Sequence, residues 1–458
     1  MQKPTTTESP AKCGTSGMSQ FLVAVFIATV AYFVYWGLGY TGFNHSFIFL
    51  LACAFGLFMA FNIGGNDVAN SFGTSVGAGT LSITQALIVA AVFEVSGAVI
   101  AGGEVTDTIR TGIVDLTTLP LQPLNLILIM MSALLAAALW LLFATKKGLP
   151  VSTTHAIIGG IVGSSVLLGW QLSDGQGSPF ALVKWHEIGR IAASWVLSPM
   201  LGGIVSYTLY TIIKKNVLEY NDTVAAQLKA IKAEKKAYKE QHRLRFDALD
   251  EQQKIEVSTA MARDAQIYGE DDFDPAELES NYYKGLHEIN QRKEQIDVFK
   301  AFYTWIPAIS GLGCMLISSM LIFKGLKNLH LGIAPMTSMF LILMLGAGIW
   351  AATFLYAKSL KRKDLNKSSF KIFSWMQVFT ASGFAFSHGA NDISNALGPF
   401  AVILDVLRAN DVNTSEPLQP IVMLTFGVAL IVGLWFIGKE VIHTVGKDLA
   451  ELHPSSGF

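Results

Sequence analysis

The chain has 458 residues, of which 52% are hydrophobic and 15% are charged, and its formal net charge is −1. Its mean hydropathy of +0.45 is typical of a polytopic membrane protein and excludes an ordinary soluble domain. The net charge gives no indication of nucleic-acid binding. Cys13, Cys53 and Cys314 lie far apart without metal-ligand spacing, so we assign the two in apolar segments, Cys53 and Cys314, to packing.

Apolar blocks of spanning length recur along the chain, and we identify about ten of them at roughly 20 residues each. A polar tail covers residues 1–19 and lacks the features of a signal peptide. Residues 104–115 are too polar and too short to span. The first membrane half covers residues 20–213, with spans predicted near 21–40, from 46 into a Gly-rich motif at 64–67, and near 83–101, 124–144, 151–170 and 188–213.

Residues 214–300 differ in composition, because Lys, Arg, Glu and Asp alternate there with Ala, Leu and Gln. This pattern predicts a soluble helical insert, and no motif assigns it a regulatory or partner-binding role. The short 358–371 loop is rich in Lys and Arg, so the positive-inside rule places it, and the insert two spans earlier, in the cytoplasm. The second membrane half covers residues 301–458, with spans predicted near 302–323, 333–356, 372–387 and 418–437.

A polar motif appears twice within the apolar blocks. Residues 64–70 read Gly-Gly-Asn-Asp-Val-Ala-Asn, and residues 389–395 read Gly-Ala-Asn-Asp-Ile-Ser-Asn. A charged Asp at the centre of a spanning helix costs about 2.5–3.5 kcal/mol on insertion scales, so it is expected to face a cavity, an ion or a partner. Glycine lets the backbone leave the helix, and interrupted segments at corresponding positions of two halves indicate a transporter's site. We therefore predict a broken helix at each motif; a surface loop is the alternative for a single copy.

Three acidic residues and one histidine are candidates for ion handling. Asp67 and Asp392 are hard oxygen ligands suited to sodium; alternatively, one of them carries a proton or accepts a hydrogen bond from a protonated oxyanion. The last role would favour phosphate, which keeps an O–H donor at neutral pH, over sulfate, which does not. Glu94 is either a coupling residue or a glutamate hydrogen-bonded between helices. His388 is assigned to packing, with proton handling as the alternative.

Residues 150–155, Pro-Val-Ser-Thr-Thr-His, form the second informative motif. Proline followed by hydroxyl residues predicts a helix start, whose free N–H groups, hydroxyls and positive dipole end suit an anion. The alternative is an ordinary helix cap at the membrane surface. Asp107 and Arg110 are expected to pair with each other. No nucleophile elbow surrounds Ser152, and Ser152 and His155, three residues apart on a helix, do not by themselves make a catalytic pair. With no metal-ligand cluster either, we predict that the chain is not an enzyme.

The doubled motif resembles the signature of the inorganic phosphate transporter (PiT) family, the phosphate–cation symporters, which reads Gly-Ala-Asn-Asp-Val-Ala-Asn. Phe93-Glu94, residues 105–110, the 150–155 motif and the 454–458 ending also resemble the family, although Gly65 replaces its usual alanine. The similarity extends from about Ser46 to the end of the chain, apart from most of the insert. The resemblance implies an inverted-repeat fold, a large cytoplasmic loop and alternating access around one phosphate site.

The resemblance also implies roles for individual residues. Asp67 and Asp392 would serve the site and cation coupling, with sodium as the favoured ion, and Glu94 is added as a coupling candidate because it lies mid-span. The family normally carries a second Pro-Val-Ser-Thr-Thr-His after its Pro-Ser-x-Gly-Phe, whereas this chain stops at Phe458, so the second repeat is expected to be incomplete. The expected phosphate ligands are the amides and hydroxyls of these motifs: Asn66, Asn70, Ser152, Thr153, Thr154, Asn391 and Asn395.

The sequence therefore predicts an all-helical, multi-pass protein of the inner or plasma membrane that imports inorganic phosphate with a cation, sodium being favoured. A proton-coupled phosphate permease, a sulfate permease of the same fold and a phosphate sensor without transport remain as alternatives. No cofactor is expected beyond the co-transported sodium. The expected partners are phosphate, sodium or a proton, and the lipid bilayer, with a homodimer left open and no nucleic acid.

Overall fold

A computed structural model describes residues 17–115, 122–172, 178–269, 273–325, 333–359, 365–412, 418–448 and 452–458. These residues are helical almost throughout, and β-pairing among them is limited to one antiparallel bridge between Val114 and Val183. The all-helical prediction is therefore confirmed. Cys13, with most of the predicted polar tail, and residues 361–363 of the basic loop lie outside the described residues.

The helices follow the predicted order, although their bounds differ. The predicted first membrane half corresponds to α1 (Gly17–Tyr40), α2 (Ser46–Gly77), α3 (Ile83–Gly112), α4 (Pro123–Lys146), α5 (Thr153–Leu172) and α6 (Trp185–Ile213). The insert contains α7 (Glu219–Asp247), α8 (Glu251–Ile267) and α9 (Asn281–Glu294). The second half contains α10 (Lys300–Met320), α11 (Pro335–Ser359), α12 (Leu365–Ala409), α13 (Pro420–His443) and the short α14 (Pro454–Gly457).

Nine helical segments in the described part of the chain are long and apolar enough to cross a membrane, judged by length and composition. They correspond to α1–α6, α10, α11 and α13, and they confirm a polytopic membrane protein. The tenth predicted segment lies in α12, which is helical over 45 residues but is not among the nine. Its basic start and the polar residues of the second motif lower its hydropathy.

The prediction of broken helices is wrong. The first motif lies inside α2 and the second inside α12, and both helices run through their motif without interruption. Residues 104–112, predicted to be a separate polar segment, likewise continue α3. The motif glycines serve a different purpose from the one expected: they let a neighbouring helix approach, while the backbone keeps its helical hydrogen bonds.

Glycines on α2 and α13 allow these two helices to touch backbone to backbone. A Cβ atom on Gly64 would overlap the carbonyl oxygen of Leu430, and a Cβ on Gly433 would overlap the carbonyl oxygen of Phe61. The two contacts are reciprocal, because each helix presents a glycine to the backbone of the other. Small residues at such crossings are a common way to bring membrane helices together.

Helices α3 and α12 repeat this reciprocal contact. A Cβ on Gly389 would overlap the backbone of Glu94, and a Cβ on Gly97 would overlap the carbonyl oxygen of Phe386. Gly389 and Phe386 occupy the positions in the second motif region that Gly64 and Phe61 occupy in the first. Each motif helix is thus crossed by a helix that follows the other motif in sequence.

We predict that Gly433→Ala destabilises the protein, because the new methyl group has to push α13 away from Phe61. Overpacking of this kind typically costs about 1–3 kcal/mol. Gly163→Ala is the matched control, since that helical glycine on α5 has open space around it and alanine is the better helix former. The measurement is the melting temperature of the purified protein in detergent. Equal melting temperatures for the two variants would contradict the crossing.

The apolar core of the membrane part centres on α1, α2, α12 and α13. Phe33, Phe400 and Phe426 are fully buried, and their ring centroids lie 4.9–6.2 Å apart. Helices α4 and α5 join the same core and contact each other where Gly160 meets the backbone of Ala133. Helix α4 thus packs against both α2 and α5, and the start of α5 reaches Asp67 on α2, where the site described below lies.

The chain divides into two compact units. One contains residues 1–204, 313–346 and 372–458, and the other contains residues 205–312 and 347–371. The second unit includes residues 214–300, whose helices α7–α9 are polar in sequence. Asp264, near the end of α8, fixes the start of α9. It accepts hydrogen bonds from the backbone N–H groups of Glu279 (3.0 Å) and Ser280 (2.7 Å) and from the Ser280 hydroxyl (2.5 Å).

We predict that Asp264→Asn loosens the α8–α9 connection by about 1.5–3 kcal/mol, the usual value of a hydrogen bond to a charged group. Burial alone would raise the pKa of Asp264, but the hydrogen bonds from Ser280 and Glu279 outweigh it and hold the pKa below its ordinary value. The stabilisation is therefore present above the unfolded-state pKa of about 3.9 and is lost as the pH falls through the lower folded-state pKa.

Hydrogen exchange of residues 258–290 in the full chain measures this effect. Asp264→Asn should exchange faster than wild type at neutral pH, and the two proteins should converge in acid. Asp247→Asn, at an exposed position at the end of α7, is the control and should exchange like wild type. Equal protection of wild type and Asp264→Asn at neutral pH would contradict the role of Asp264.

Candidate ion-binding site

The two motif carboxylates lie together in the first unit. Asp67 on α2 and His388 and Asp392 on α12 each offer a ligand atom, and these atoms all lie within 4.8 Å of one another. Asp67 is buried and Asp392 is mostly buried, with a side-chain exposure of 16%. The doubled motif therefore forms one cluster, with one carboxylate from each copy.

His388 connects this cluster to Glu94. Its Nε2 atom lies 2.6 Å from Asp392 Oδ2, and its Nδ1 atom lies 3.4 Å from Glu94 Oε1. The assignment of His388 to packing is therefore wrong, because its ring lies between two carboxylates. Glu94 is buried and also accepts a hydrogen bond from Ser71 on α2 at 3.4 Å. It is therefore hydrogen-bonded between helices, which is one of the two alternatives that the sequence left open.

The two helix crossings differ in charge although they share a backbone arrangement. His388 directly precedes Gly389, and Ile63 directly precedes Gly64. Glu94 lies three residues before Gly97, and Leu430 lies three residues before Gly433. The crossing of α12 and α3 therefore carries a histidine and a glutamate where the crossing of α2 and α13 carries two aliphatic side chains.

Helix α5 starts at Thr153, as its sequence predicts, and this start adjoins the carboxylates. The Thr153 hydroxyl donates a hydrogen bond to Asp67 Oδ2. Ser152 caps the helix by accepting a hydrogen bond from the His155 N–H at 3.3 Å. Asn395 on α12 donates from Nδ2 to Thr154 Oγ1 at 3.3 Å. Hydroxyls of the helix start thus contact both motif helices.

Asn66 holds the segment that leads into α5. Its Nδ2 donates to Thr145 Oγ1 (2.9 Å) and to the carbonyl of Leu149 (3.0 Å), and its Oδ1 accepts from the Val151 N–H (2.9 Å). The side chain is fully buried, and both of its N–H donors are used within the protein. In the structure Asn66 therefore positions the start of α5, whereas the sequence predicted that it would be a phosphate ligand.

Other predicted site residues are placed differently. Asn391, the counterpart of Asn66, is exposed and forms no hydrogen bond within the described residues. The side chains of Asn70, Asp107 and Arg110 lie outside those that the structure describes, so their predicted roles stay predictions. Thr145 and Ser71 were missed by sequence reasoning, since lone hydroxyl residues in apolar segments carry no motif signal.

We predict that Asn66→Ala lowers the melting temperature, because it leaves buried backbone and hydroxyl groups without partners. Each such group costs about 1–3 kcal/mol. Asn391→Ala is the matched control from the second motif and should change stability by less than about 0.5 kcal/mol, as exposed substitutions usually do. Thermal unfolding of both variants in detergent measures the difference, and equal stabilities would contradict the positioning role of Asn66.

In this helical membrane protein the carboxylates of two repeated motifs lie together, and one of them is hydrogen-bonded to a hydroxyl of a helix start. These features are those of the class of polytopic ion transporters. The comparisons with known proteins identify the family. The phosphate transporter family model matches residues 63–458, and the chain therefore belongs to the phosphate transporter family. The resemblance noted from the motifs is thus confirmed, and the prediction that the chain is not an enzyme agrees with it.

Individual relatives agree with the family assignment. A Mycobacterium bovis protein that carries the name of a phosphate permease is 55% identical over 427 residues, which cover 93% of this chain and 77% of that protein. The chloroplastic inorganic phosphate transporter 2-1 of Arabidopsis thaliana is 32% identical over 88% of this chain and 59% of its own length. A solved structure titled as the sodium-dependent phosphate transporter matches with a TM-score of 0.63 and 28% identity, over 90% of this chain and 80% of that chain.

Proposed function

We propose that this phosphate transporter is a symporter that couples inorganic phosphate to sodium. The observation that carries the proposal is the hydrogen bond between Thr153 and Asp67. It joins the carboxylate cluster to the start of α5, so a cation site and an anion site would be in direct contact. A solved structural relative is titled a sodium-dependent phosphate transporter, which supports the choice of cation.

The proposed cation ligands are Asp67 and Asp392. Two buried or nearly buried carboxylates close together repel each other, and a cation between them removes this repulsion. Carboxylate oxygens suit a hard cation such as sodium. Glu94 would contribute to coupling through His388, which contacts both Glu94 and Asp392.

The proposed phosphate ligands are Ser152, Thr153, Thr154 and Asn395. The start of α5 supplies free N–H groups and the positive end of the helix dipole, both of which favour an anion. Two unit charges about 4 Å apart attract by about 4 kcal/mol at an effective dielectric constant of 20. Bound sodium would therefore strengthen phosphate binding, and linkage requires phosphate to strengthen sodium binding equally.

The proposal includes an inverted-repeat architecture with alternating access. Its support is the reciprocal glycine contact, which occurs once between α2 and α13 and again between α3 and α12. Rocking of the repeats would expose the site to each side of the membrane in turn. We further propose that the membrane is the cell's inner or plasma membrane and that residues 214–300 face the cytoplasm, on the basis of the basic 358–371 loop.

Uptake of labelled phosphate into proteoliposomes tests the function. We expect sodium outside to stimulate uptake relative to potassium, sulfate not to compete, and Asp392→Asn to abolish the sodium stimulation, because a neutral amide cannot balance the cation. Asp222→Asn is the control, since it makes the same chemical change at an exposed position on α7. A matched series with a pH gradient and no sodium separates sodium coupling from proton coupling.

Three results would contradict the proposal. Equal uptake in sodium and potassium, with stimulation by a pH gradient, would replace sodium by a proton. Competition by sulfate would broaden the substrate class to oxyanions in general. Binding of labelled phosphate without uptake would indicate a sensor.

A further inference from the structure

The insert contains an open cleft that the transport proposal does not use. It lies between α7, α8 and α9 and has a volume of about 460 Å3. Small-molecule sites typically occupy roughly 300–1,000 Å3, so the cleft is large enough for a ligand of that class. All three helices belong to the same compact unit, and each contributes one face to the cleft.

The α7 wall of the cleft is positively charged. Lys239 and Arg243 lie one helical turn apart on this wall, and none of the lining residues is acidic. Arg243 pairs with Glu240 at 2.6 Å, but both side chains are more than half exposed, and such pairs contribute little. Within the described residues, the Lys239 ammonium forms no ion pair. Both cations are therefore available to an anionic ligand.

Aromatic rings from α7 and α9 also line the cleft. Tyr282 and Tyr283 at the start of α9 pack edge to face, with ring centroids 5.1 Å apart, and the ring of His242 lies 4.5 Å from that of Tyr282. Phe246, one turn further along α7, stacks beside His242 at 6.5 Å. These rings are all half-buried, so they have fixed positions and still present surface to the cleft.

Hydrogen bonds within the protein hold the start of α9, and with it Tyr282 and Tyr283, in place before any ligand arrives. The Tyr238 hydroxyl donates to the carbonyl of Asn281 at 2.7 Å, beside Tyr282. Asp264 fixes Ser280, which in turn caps α9 by accepting a hydrogen bond from the Tyr283 N–H at 3.3 Å. Binding therefore requires little ordering of the start of α9, and preorganisation of this kind favours affinity.

We propose that this cleft binds a nucleotide. Lys239 and Arg243 would contact the phosphates, because Arg presents a planar fork of donors that matches phosphate oxygens and Lys adds a point charge. The base would stack on Tyr282 and its aromatic neighbours, which accept any planar heterocycle and gain from a nearby cation. The proposal is independent of the proposed symport, since no residue of the transport site takes part.

Fluorescence titration of the full-length protein in detergent with mant-ATP tests the proposal, with ATP and inorganic triphosphate as competitors. We expect Lys239→Ala and Arg243→Ala each to weaken binding about tenfold. Lys229→Ala is the matched control, being an exposed lysine on the same helix ten residues away, about 15 Å along the axis. Tyr282→Leu should weaken ATP about tenfold and leave inorganic triphosphate unchanged, whereas Tyr282→Phe, which keeps the ring, should bind ATP like wild type.

The outcomes separate clearly. Weakening by Lys239→Ala and Tyr282→Leu, with wild-type binding by Lys229→Ala and Tyr282→Phe, supports the nucleotide site. No mant-ATP binding at millimolar concentration overturns it, and so does binding that is unaffected by Lys239→Ala. Equal competition by ATP and inorganic triphosphate, unchanged in Tyr282→Leu, overturns it in favour of a simple anion site. Protease digestion of the insert checks whether Tyr282→Leu is folded like wild type. If the insert of this variant is digested faster, the effect of Lys239→Ala and the relative competition by ATP and triphosphate in the wild type decide whether the cleft is a nucleotide site.

Discussion

The close approach of helix backbones at the motif glycines is the constraint on which the rest of the site depends. Gly64 and Gly433 bring α2 against α13, while Gly97 and Gly389 bring α3 against α12. Because no side chain separates the crossing helices, the residues that follow each motif glycine are brought close to one another. Asp67 and Asp392, each three residues beyond its motif glycine, therefore lie together. A membrane interior provides no water to fill a looser arrangement, so close packing itself defines the site.

Much of this organisation is readable from the sequence. Apolar blocks of spanning length predict the helices, and the hydroxyl residues after Pro150 predict a helix start there, two residues before the observed start of α5 at Thr153. The repetition of the Asn-Asp motif predicts that Asp67 and Asp392 share one site, and in the structure their carboxylate oxygens lie within 4.8 Å of each other. These features are encoded locally or by repetition, and neither requires knowledge of which helix packs against which.

Features that depend on helix partners are not readable in the same way. A glycine can bend a chain or admit a neighbour, and the sequence of α2 is the same in both cases; only the position of Leu430 distinguishes them. The contact between His388 and Glu94 joins residues almost 300 positions apart, and no spacing rule covers such a pair. The amide of Asn66 could bind a ligand, but in the structure it is hydrogen-bonded to Thr145, Leu149 and Val151. A single sequence does not reveal that these residues are its neighbours.

The uninterrupted course of α2 and α12 has a consequence for the choice of cation in the proposed symport. In a helix the main-chain carbonyls are already engaged, so a cation between Asp67 and Asp392 would take its ligands from side chains. Ion preference would then depend on a few replaceable groups, with the scaffold left untouched. Under the proposed symport, a lineage built on this framework would exchange one driving ion for another by single substitutions, with the path of the chain unchanged.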